Sequence, residues 1–351
     1  MEIVGGHLAK KSIVHTIFFG GGTPSVVPAE KIVTVIDQVR NCFQVVEDPE
    51  ISMEMNPVHL TSKYLQEVKD GGINRISFGM QSASRDELRM LGRKHDFEDV
   101  ISSTTLAREA GIDNLNLDII FGLPGQNINS FEHTLAAATQ IFPPHLSLYA
   151  LTVEEGTPLA AMIERGDLAN PDTDIAGEMY ENAMERLAEA GYRQYEISNW
   201  AVDDAHQCKH NLQYWKNGDY LGFGAGAHSH NKQWRWENLE SLPDYIQRVK
   251  NPKDELETLS PAASRQTELS LNGDLGETMM MGLRLTEGGI SENEFSQRFG
   301  VKLEETYLSE IETSLRQHLL EWIVSNDGRH LRLTHRGKML GNQVFMRFLK
   351  D

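Results

Sequence analysis

Cysteine is nearly missing from this chain: its 351 residues include two, Cys42 and Cys208. Two thiols make no disulfide framework, so the fold must rest on its core, and the chain reads as cytoplasmic. Basic residues are also scarce, with 33 Lys and Arg against 51 Asp and Glu and a net charge of −18. A surface of that sign repels phosphate backbones and anionic headgroups, which argues against nucleic acid and membrane partners. No apolar run nears the roughly 20 residues of a membrane helix, so no transmembrane segment is expected. The first residues, "MEIVGGHLAKKSIVH", lack the apolar segment and cleavage site of a secretory signal. Repeats and low-complexity tracts are missing too. What remains is a 40% hydrophobic chain, long enough for one large domain and a smaller one.

Five apolar runs are present: "HTIFFG" (15–20), "EISMEM" (50–55), "INRISFG" (73–79), "LNLDIIFG" (115–122) and "HLSLYAL" (145–151). They read as continuous rather than alternating, which suits parallel strands buried on both faces. Helical patterns separate them. "AEKIVTVIDQVRNCF" sets Ile32, Val35, Ile36 and Val39 on one face, "SRDELRML" offers a capping box from Ser84 to Glu87, and Gly111 and Gly191 read as helix-ending glycines. This β-α repeat argues for a parallel α/β barrel or a doubly wound sheet. Past residue 200 the pattern changes. Residues 199–236 are rich in His, Trp, Tyr and Gly, and residues 251–275 read as a polar linker. Residues 276–351 read as a small helical, winged-helix-like module whose "LEWIVSNDGRHLRLT" is strand, Asn-Asp-Gly turn, strand.

Polar residues gather where the strands end: Gly20-Gly21-Gly22-Thr23, Glu54 with Asn56, Gln81 with Ser82, and Asp118 before Gly122. Barrels of parallel strands build their sites there. Bare backbone at "GGGTPS" can grip an ammonium or a phosphate, or simply make a tight turn. Glu54 can meet a ligand ammonium or a metal, or a neighbouring cap. Asp118 is flanked by apolar residues and needs a partner, for which Arg93 in "LGRKH" is available. Arg93 also suits a ligand carboxylate or an exposed helix end. In "HQCKHNLQYW", His206, Cys208 and His210 alternate as zinc ligands do, but no second pair follows. A histidine among aromatics can instead ligate heme iron, stack on a planar ligand, or sit in a core. "GFGAGAHSH" is a glycine-rich turn ending at His228, a weak phosphate-loop match.

Taken together, "FFGGGTPS", "NRISFGMQS", "LNLDIIFGLPGQ", "HNLQYW", "GFGAGAHS" and "LRLTHRGKML" resemble the oxygen-independent coproporphyrinogen III oxidase family of radical S-adenosylmethionine (SAM) proteins. The resemblance holds in order and spacing over nearly the whole chain. "HNLQYW" is similar to the HNxxYW signature of the family's heme chaperone branch, HemW. The resemblance implies a partial parallel β/α barrel of the radical SAM type over residues 1–200. It adds an extension packed on the barrel over 201–250, the linker, and the C-terminal module. It implies that Gly21, Gly22 and Thr23 contact SAM, that Glu54 takes its ammonium or ribose side, and that Gln81, Arg93 and Asp118 complete the cleft. Ile120 and Ala150 would pack near the adenine. For heme, His210 is the leading contact, with Cys208, His228, Tyr214 and Trp215 as further candidates.

In that family a CxxxCxxC loop holding a [4Fe–4S] cluster precedes the glycine strand. Here 16 residues precede Ile17 and none is cysteine. The chain therefore reads as starting at the family's second strand, without cluster ligands and without radical catalysis of its own. An uncovered sheet edge makes a homodimer a partner to test. The implied function is heme binding and transfer to heme-accepting proteins. Two alternatives stand beside it: coproporphyrinogen III oxidation in porphyrin biosynthesis, given an upstream cysteine segment, and a phosphate-binding α/β barrel enzyme.

Overall fold

The five apolar runs become the first five strands of a seven-stranded sheet: β1 (Ile13–Phe19), β2 (Gln44–Met55), β3 (Arg75–Gln81), β4 (Asn114–Phe121) and β5 (His145–Ala150). A short hairpin, β6 (Arg193–Glu196) and β7 (Asn199–Ala201), extends it in the order β1-β2-β3-β4-β5-β7-β6. The pairs β2–β3, β3–β4 and β4–β5 are parallel, whereas β5–β7 and β7–β6 are antiparallel. The result is the expected partial barrel, closed at one end by antiparallel strands that apolar runs alone did not reveal. This computed structural model describes residues 1–8, 12–252 and 260–349.

The strands alternate after all. Met53, Met55, Ile76, Phe78, Leu115, Leu117, Ile119, Leu146 and Leu148 share one face and are at most 3% exposed. Burying each such side chain stabilises the sheet by roughly 1.5–3 kcal/mol. The opposite face carries Ser52, Glu54, Arg75, Ser77, Asn116, Asp118, His145 and Ser147, brought level by the register Glu54↔Ser77↔Asn116↔His145 and Asp118↔Ser147. The short runs looked continuous because each of β2 to β5 contributes only two of these polar side chains.

Eight helices accompany these strands: α1 (Glu2–Leu8), α2 (Ala29–Cys42), α3 (Ser62–Asp70), α4 (Arg85–Met90), α5 (Phe97–Glu109), α6 (Ile128–Gln140), α7 (Pro158–Glu164) and α8 (Thr173–Glu189). Ile32, Ile36 and Val39 are buried on α2 as their spacing predicts. Gly111 and Gly191 follow α5 and α8 with positive φ. Ser84 caps α4, but the expected capping box is not closed. The Glu87 carboxylate instead accepts from Ser82 (2.5 Å), Ser130 (2.6 Å) and Gln126 (3.2 Å), while the Ser84 N–H donates to Ser82 Oγ. A buried carboxylate gains more from three donors than from one exposed backbone N–H.

The chain divides into two compact units. One comprises His15–Asp37 and Glu47–Gln207, which hold most of the barrel sheet. The other comprises Met1–Val14, Gln38–Val46 and Cys208–Asp351. In the second unit α9 (Lys209–Trp215) leads to a three-stranded antiparallel sheet of β8 (His228–His230), β9 (Trp234–Asn238) and β10 (Ala263–Glu268), with α10 (Leu242–Lys250) between β9 and β10. Then follow α11 (Leu271–Gly282), β11 (Ile290–Ser291), α12 (Glu292–Phe299), α13 (Leu303–Thr306), α14 (Leu308–Arg316), β12 (Leu320–Ser325), β13 (Gly328–Leu333), α15 (His335–Met339) and α16 (Gly341–Phe345). The hairpin β12–β13 turns at Asn326-Asp327 as expected. The segment 251–275, read as a linker, differs: its described part holds all of β10 and the start of α11, and residues 253–259 lie outside the described residues. Polar composition misled there because β10 is a mostly exposed strand whose side chains meet water.

Candidate functional site

In the barrel unit the strand ends converge on one polar cluster. β1 runs into Gly20, then Gly21 and Gly22 at φ +78° and +59°, a left-handed pair that glycine adopts without strain. The turn they make aims the Gly21 N–H at Glu54 Oε2, 3.1 Å away. Thr23 starts a short helical turn, Pro24–Val26, without capping it by its side chain. Ser25 Oγ accepts from the Asn56 N–H at 3.2 Å and pins the loop to the end of β2. Burial raises the pKa of Glu54, the Gly21 N–H opposes that, and the charge of Asp118 raises it further. Two carboxylates from β2 and β4 therefore share one electrostatic environment.

Asp118 lies deep among protein atoms yet keeps part of its surface open. Its Oδ2 accepts from Ser77 Oγ at 2.8 Å and its Oδ1 from Asn116 Nδ2 at 2.8 Å. Burial raises its pKa, and these bonds with the nearby Arg75 charge work against that rise. Asn116 is itself fixed from behind. Its Oδ1 accepts from His145 Nδ1–H (2.6 Å) and Ser147 Oγ–H (3.1 Å), and its Nδ2 also reaches Ser77 Oγ at 2.7 Å. The His145 Nε2 lies 2.8 Å from the Tyr195 hydroxyl, which donates to it. With Nδ1 donating and Nε2 accepting, the imidazole is neutral; burial, helped by the charges of Arg75 and His206, holds its pKa well below the usual value.

The structure thus brings together Gly21, Glu54 and Asp118 among the expected residues. Gln81 ends β3 at a register shift with φ +65°, a conformation that costs a non-glycine residue energy, and Gly79 leaves room for its carboxamide. Arg93 is not the partner of Asp118; the cation acting on that carboxylate is Arg75. The half-buried Arg93 guanidinium makes no ion pair among the described residues. Ile120 is partly open and Ala150 is exposed, at the ends of β4 and β5. Ser77, Asn116, His145, Ser147 and Tyr195 were missed in the sequence. The alternation in "NLNLD" and "HLS" carried the signal, since a polar residue every second position marks a face that is not core.

The second candidate region lies in the other unit. "HNLQYW" lies in α9, which sets His210 and Tyr214 one turn apart on one side and turns Trp215 away from them. His210 Nε2 is 3.2 Å from the Tyr214 hydroxyl, and the rings meet edge to face at 5.0 Å. Tyr214 packs on Tyr220 with centroids 4.5 Å apart, and Tyr220 on His230 at 5.9 Å. The remaining candidates separate. Cys208 is 1% exposed, so its thiol is closed to an incoming ligand. Trp215 lies under the Arg284 guanidinium at 5.2 Å, and Arg284 also covers Phe345 at 4.6 Å, which ties α9 to the turn after α11 and to α16. His228 is exposed on β8, with Nδ1 3.9 Å from Glu237 Oε2. The glycine-rich turn is structural: a side chain at Gly222 would overlap the His228 carbonyl oxygen, and Asn238 Nδ2 bonds the carbonyls of Gly222 and Gly224. Among the described residues no three His, Cys, Asp or Glu side chains form a metal site, and no helix is long and apolar enough to cross a membrane.

Comparison with known proteins agrees with this architecture. Residues 4–138 match the model of the radical SAM superfamily and residues 269–340 that of the HemN C-terminal domain. The chain is 36% identical over 337 residues to the heme chaperone HemW of Bacillus subtilis (strain 168), covering 96% of this chain and 86% of that one. It is 32% identical to the heme chaperone HemW of Lactococcus lactis, covering 96% and 85%. Among solved structures, the coproporphyrinogen III oxidase HemN of Escherichia coli superposes with a TM-score of 0.81 over 99% of this chain and 80% of that one, at 22% identity.

Proposed function

From the premise that this chain belongs to the HemN/HemW family of radical SAM proteins, we propose that it binds heme and passes it to heme-accepting proteins, with a SAM cleft in its barrel unit. The observation that carries the heme reading is α9, where the HNxxYW residues set a partly exposed His210 imidazole against Tyr214, which in turn packs on Tyr220. A neutral imidazole donates a lone pair to iron, and aromatic edges suit a porphyrin face. His210 is the iron contact and Tyr214 the residue that orients its ring. The cytoplasm is the compartment this reading assumes.

The barrel cleft fits SAM better than a phosphate. Its Gly21 N–H is already committed to Glu54, and Glu54 and Asp118 make the potential there negative. An anion is repelled, whereas an ammonium and a sulfonium are attracted. Glu54 would hold the ammonium beside Gly21, Gly22 and Thr23, and the Arg93 guanidinium the carboxylate. Gln81 and Asp118 would take the ribose hydroxyls, and Ile120 and Ala150 the adenine. Bound SAM brings a sulfonium centre and an adenosyl group, while these residues orient it and exclude water. A [4Fe–4S] cluster does not fit the residues present, because two cysteines cannot supply three thiolates. The oxidase reading rests on the HemN C-terminal domain match and on fold likeness.

Titration of the purified chain with hemin tests the first reading: a Soret shift that His210→Ala abolishes is expected, and no shift, or one untouched by that change, overturns it. Calorimetry with SAM tests the second. Glu54→Gln is expected to weaken binding at least about ten-fold, as loss of a charge-assisted hydrogen bond does.

A further inference from the structure

The second unit contains a depression of about 180 Å³ on one face of the β8–β9–β10 sheet, next to the aromatic row that starts at His210. We propose that this depression binds the propionate carboxylates of the porphyrin, with Arg265 as their cation. The inference rests on the heme reading above and names the other end of the same ligand.

The strand register builds the place. His228 pairs with Glu237, and Glu237 with Arg265, so the three side chains form one row across the sheet. The next row is His230, Arg235 and Thr267. Tyr220 borders the depression and also packs on Tyr214, which packs on His210. The proposed iron contact and the proposed carboxylate contact therefore lie at two ends of one run of ring contacts, His210–Tyr214–Tyr220, within one unit.

The charges differ in availability. Arg235 is committed: it forks onto Glu277 with three contacts of 2.6–2.9 Å and also bonds Asn217 Oδ1. Arg265 is exposed and makes no ion pair or hydrogen bond among the described residues. In a chain of net charge −18, an arginine in a depression that forms no ion pair among the described residues, even with the neighbouring Glu237, is a site for an anion from outside. The guanidinium fork matches a carboxylate, and the Thr267 hydroxyl and His228 ring add donors. Glu237 faces the same space, 3.9 Å from His228. It repels an incoming carboxylate and competes for Arg265, which keeps affinity moderate, as a protein that hands its ligand on requires.

The test is titration of the full chain with hemin and with hemin dimethyl ester, which keeps iron and ring but has no carboxylates. Arg265→Gln is expected to weaken hemin binding about ten-fold and leave the ester unchanged. Glu237→Gln is expected to tighten hemin binding a few-fold and leave the ester unchanged. A structural role for either residue would not separate the two ligands or raise affinity. If the wild-type chain binds ester and hemin equally, or Arg265→Gln binds hemin as the wild type does, the inference is overturned and the heme reading stands. If the wild-type chain binds neither, both fall.

Discussion

Asn116→Asp is the change that most directly tests the polar face of the barrel. The amide is held in one orientation, with Oδ1 facing the donors His145 and Ser147 and Nδ2 facing the acceptors Asp118 and Ser77. The substitution puts a second carboxylate oxygen where a donor stood, 2.8 Å from Asp118 Oδ1. Two charges centred about 3.5 Å apart repel by about 5 kcal/mol at an effective dielectric of 20. Taking one proton from water at pH 7 onto a group with pKa near 4 costs about 4 kcal/mol, so the pair binds a proton rather than stay doubly charged. Glu54 adds negative potential that favours the proton and Arg75 opposes it, while burial disfavours a charge on His145, so the proton goes to the carboxylate pair. The folded variant then holds one proton more than its unfolded chain. Its folded-state pKa is raised, so stability is intact below about pH 4 and falls as pH rises, by about 1.4 kcal/mol per unit, to a deficit near 4 kcal/mol at pH 7. Urea unfolding of wild type and variant at pH 5, 6 and 7, followed by hydrogen exchange of the β4 amides, reads that slope. A deficit that is constant across this range, or below about 1 kcal/mol at pH 7, refutes the reasoning, because the amide orientation would then not be fixed.

Three further outcomes are expected. Gly222→Ala drives a methyl into the His228 carbonyl and should destabilise the second unit by about 1–3 kcal/mol, seen as a lower urea midpoint while the barrel unit is unaffected. Gln81→Gly removes a left-handed non-glycine residue that costs about 1–2 kcal/mol, offset in part by unfolded-chain entropy, so stability should hold or rise while SAM affinity measured by calorimetry falls. SAM affinity should drop as pH falls through the raised pKa of Glu54, because the neutral acid no longer attracts an ammonium. Glu54→Gln should lose that pH dependence and be more stable than the wild type at neutral pH, where the buried charge is a burden.

Much of the site could be read from particular residues. The end of each early strand was visible because short apolar runs stop at Gly20, Asn56, Ser82 and Gly122, where the backbone must turn. Glu54 and Asp118 stood out as carboxylates within apolar runs. His145 did not, since a histidine opening "HLSLYAL" looks like a strand's edge until Asn116 and Tyr195 are placed around it. Arg93 and Arg75 were equally available by sequence as the cation near Asp118. The register of β3 against β4 selects Arg75, which opens β3 opposite Asn114.

The sequence by itself determined the strand–helix alternation, the helix ends at Gly111 and Gly191, the β12–β13 hairpin and the family, because these depend on local periodicity, turn chemistry and residue order. Tertiary structure alone decided which polar residues face one another. Parallel pairing aligns residues some 20–40 positions apart, so Glu54, Ser77, Asn116 and His145 become neighbours only once the register is set. It also decided that Trp215 and Cys208 are held inward while Arg265, in a stretch that read as a linker, faces an open depression beside His228. Burial and charge pairing are properties of the assembled sheet, and no spacing along the chain encodes them.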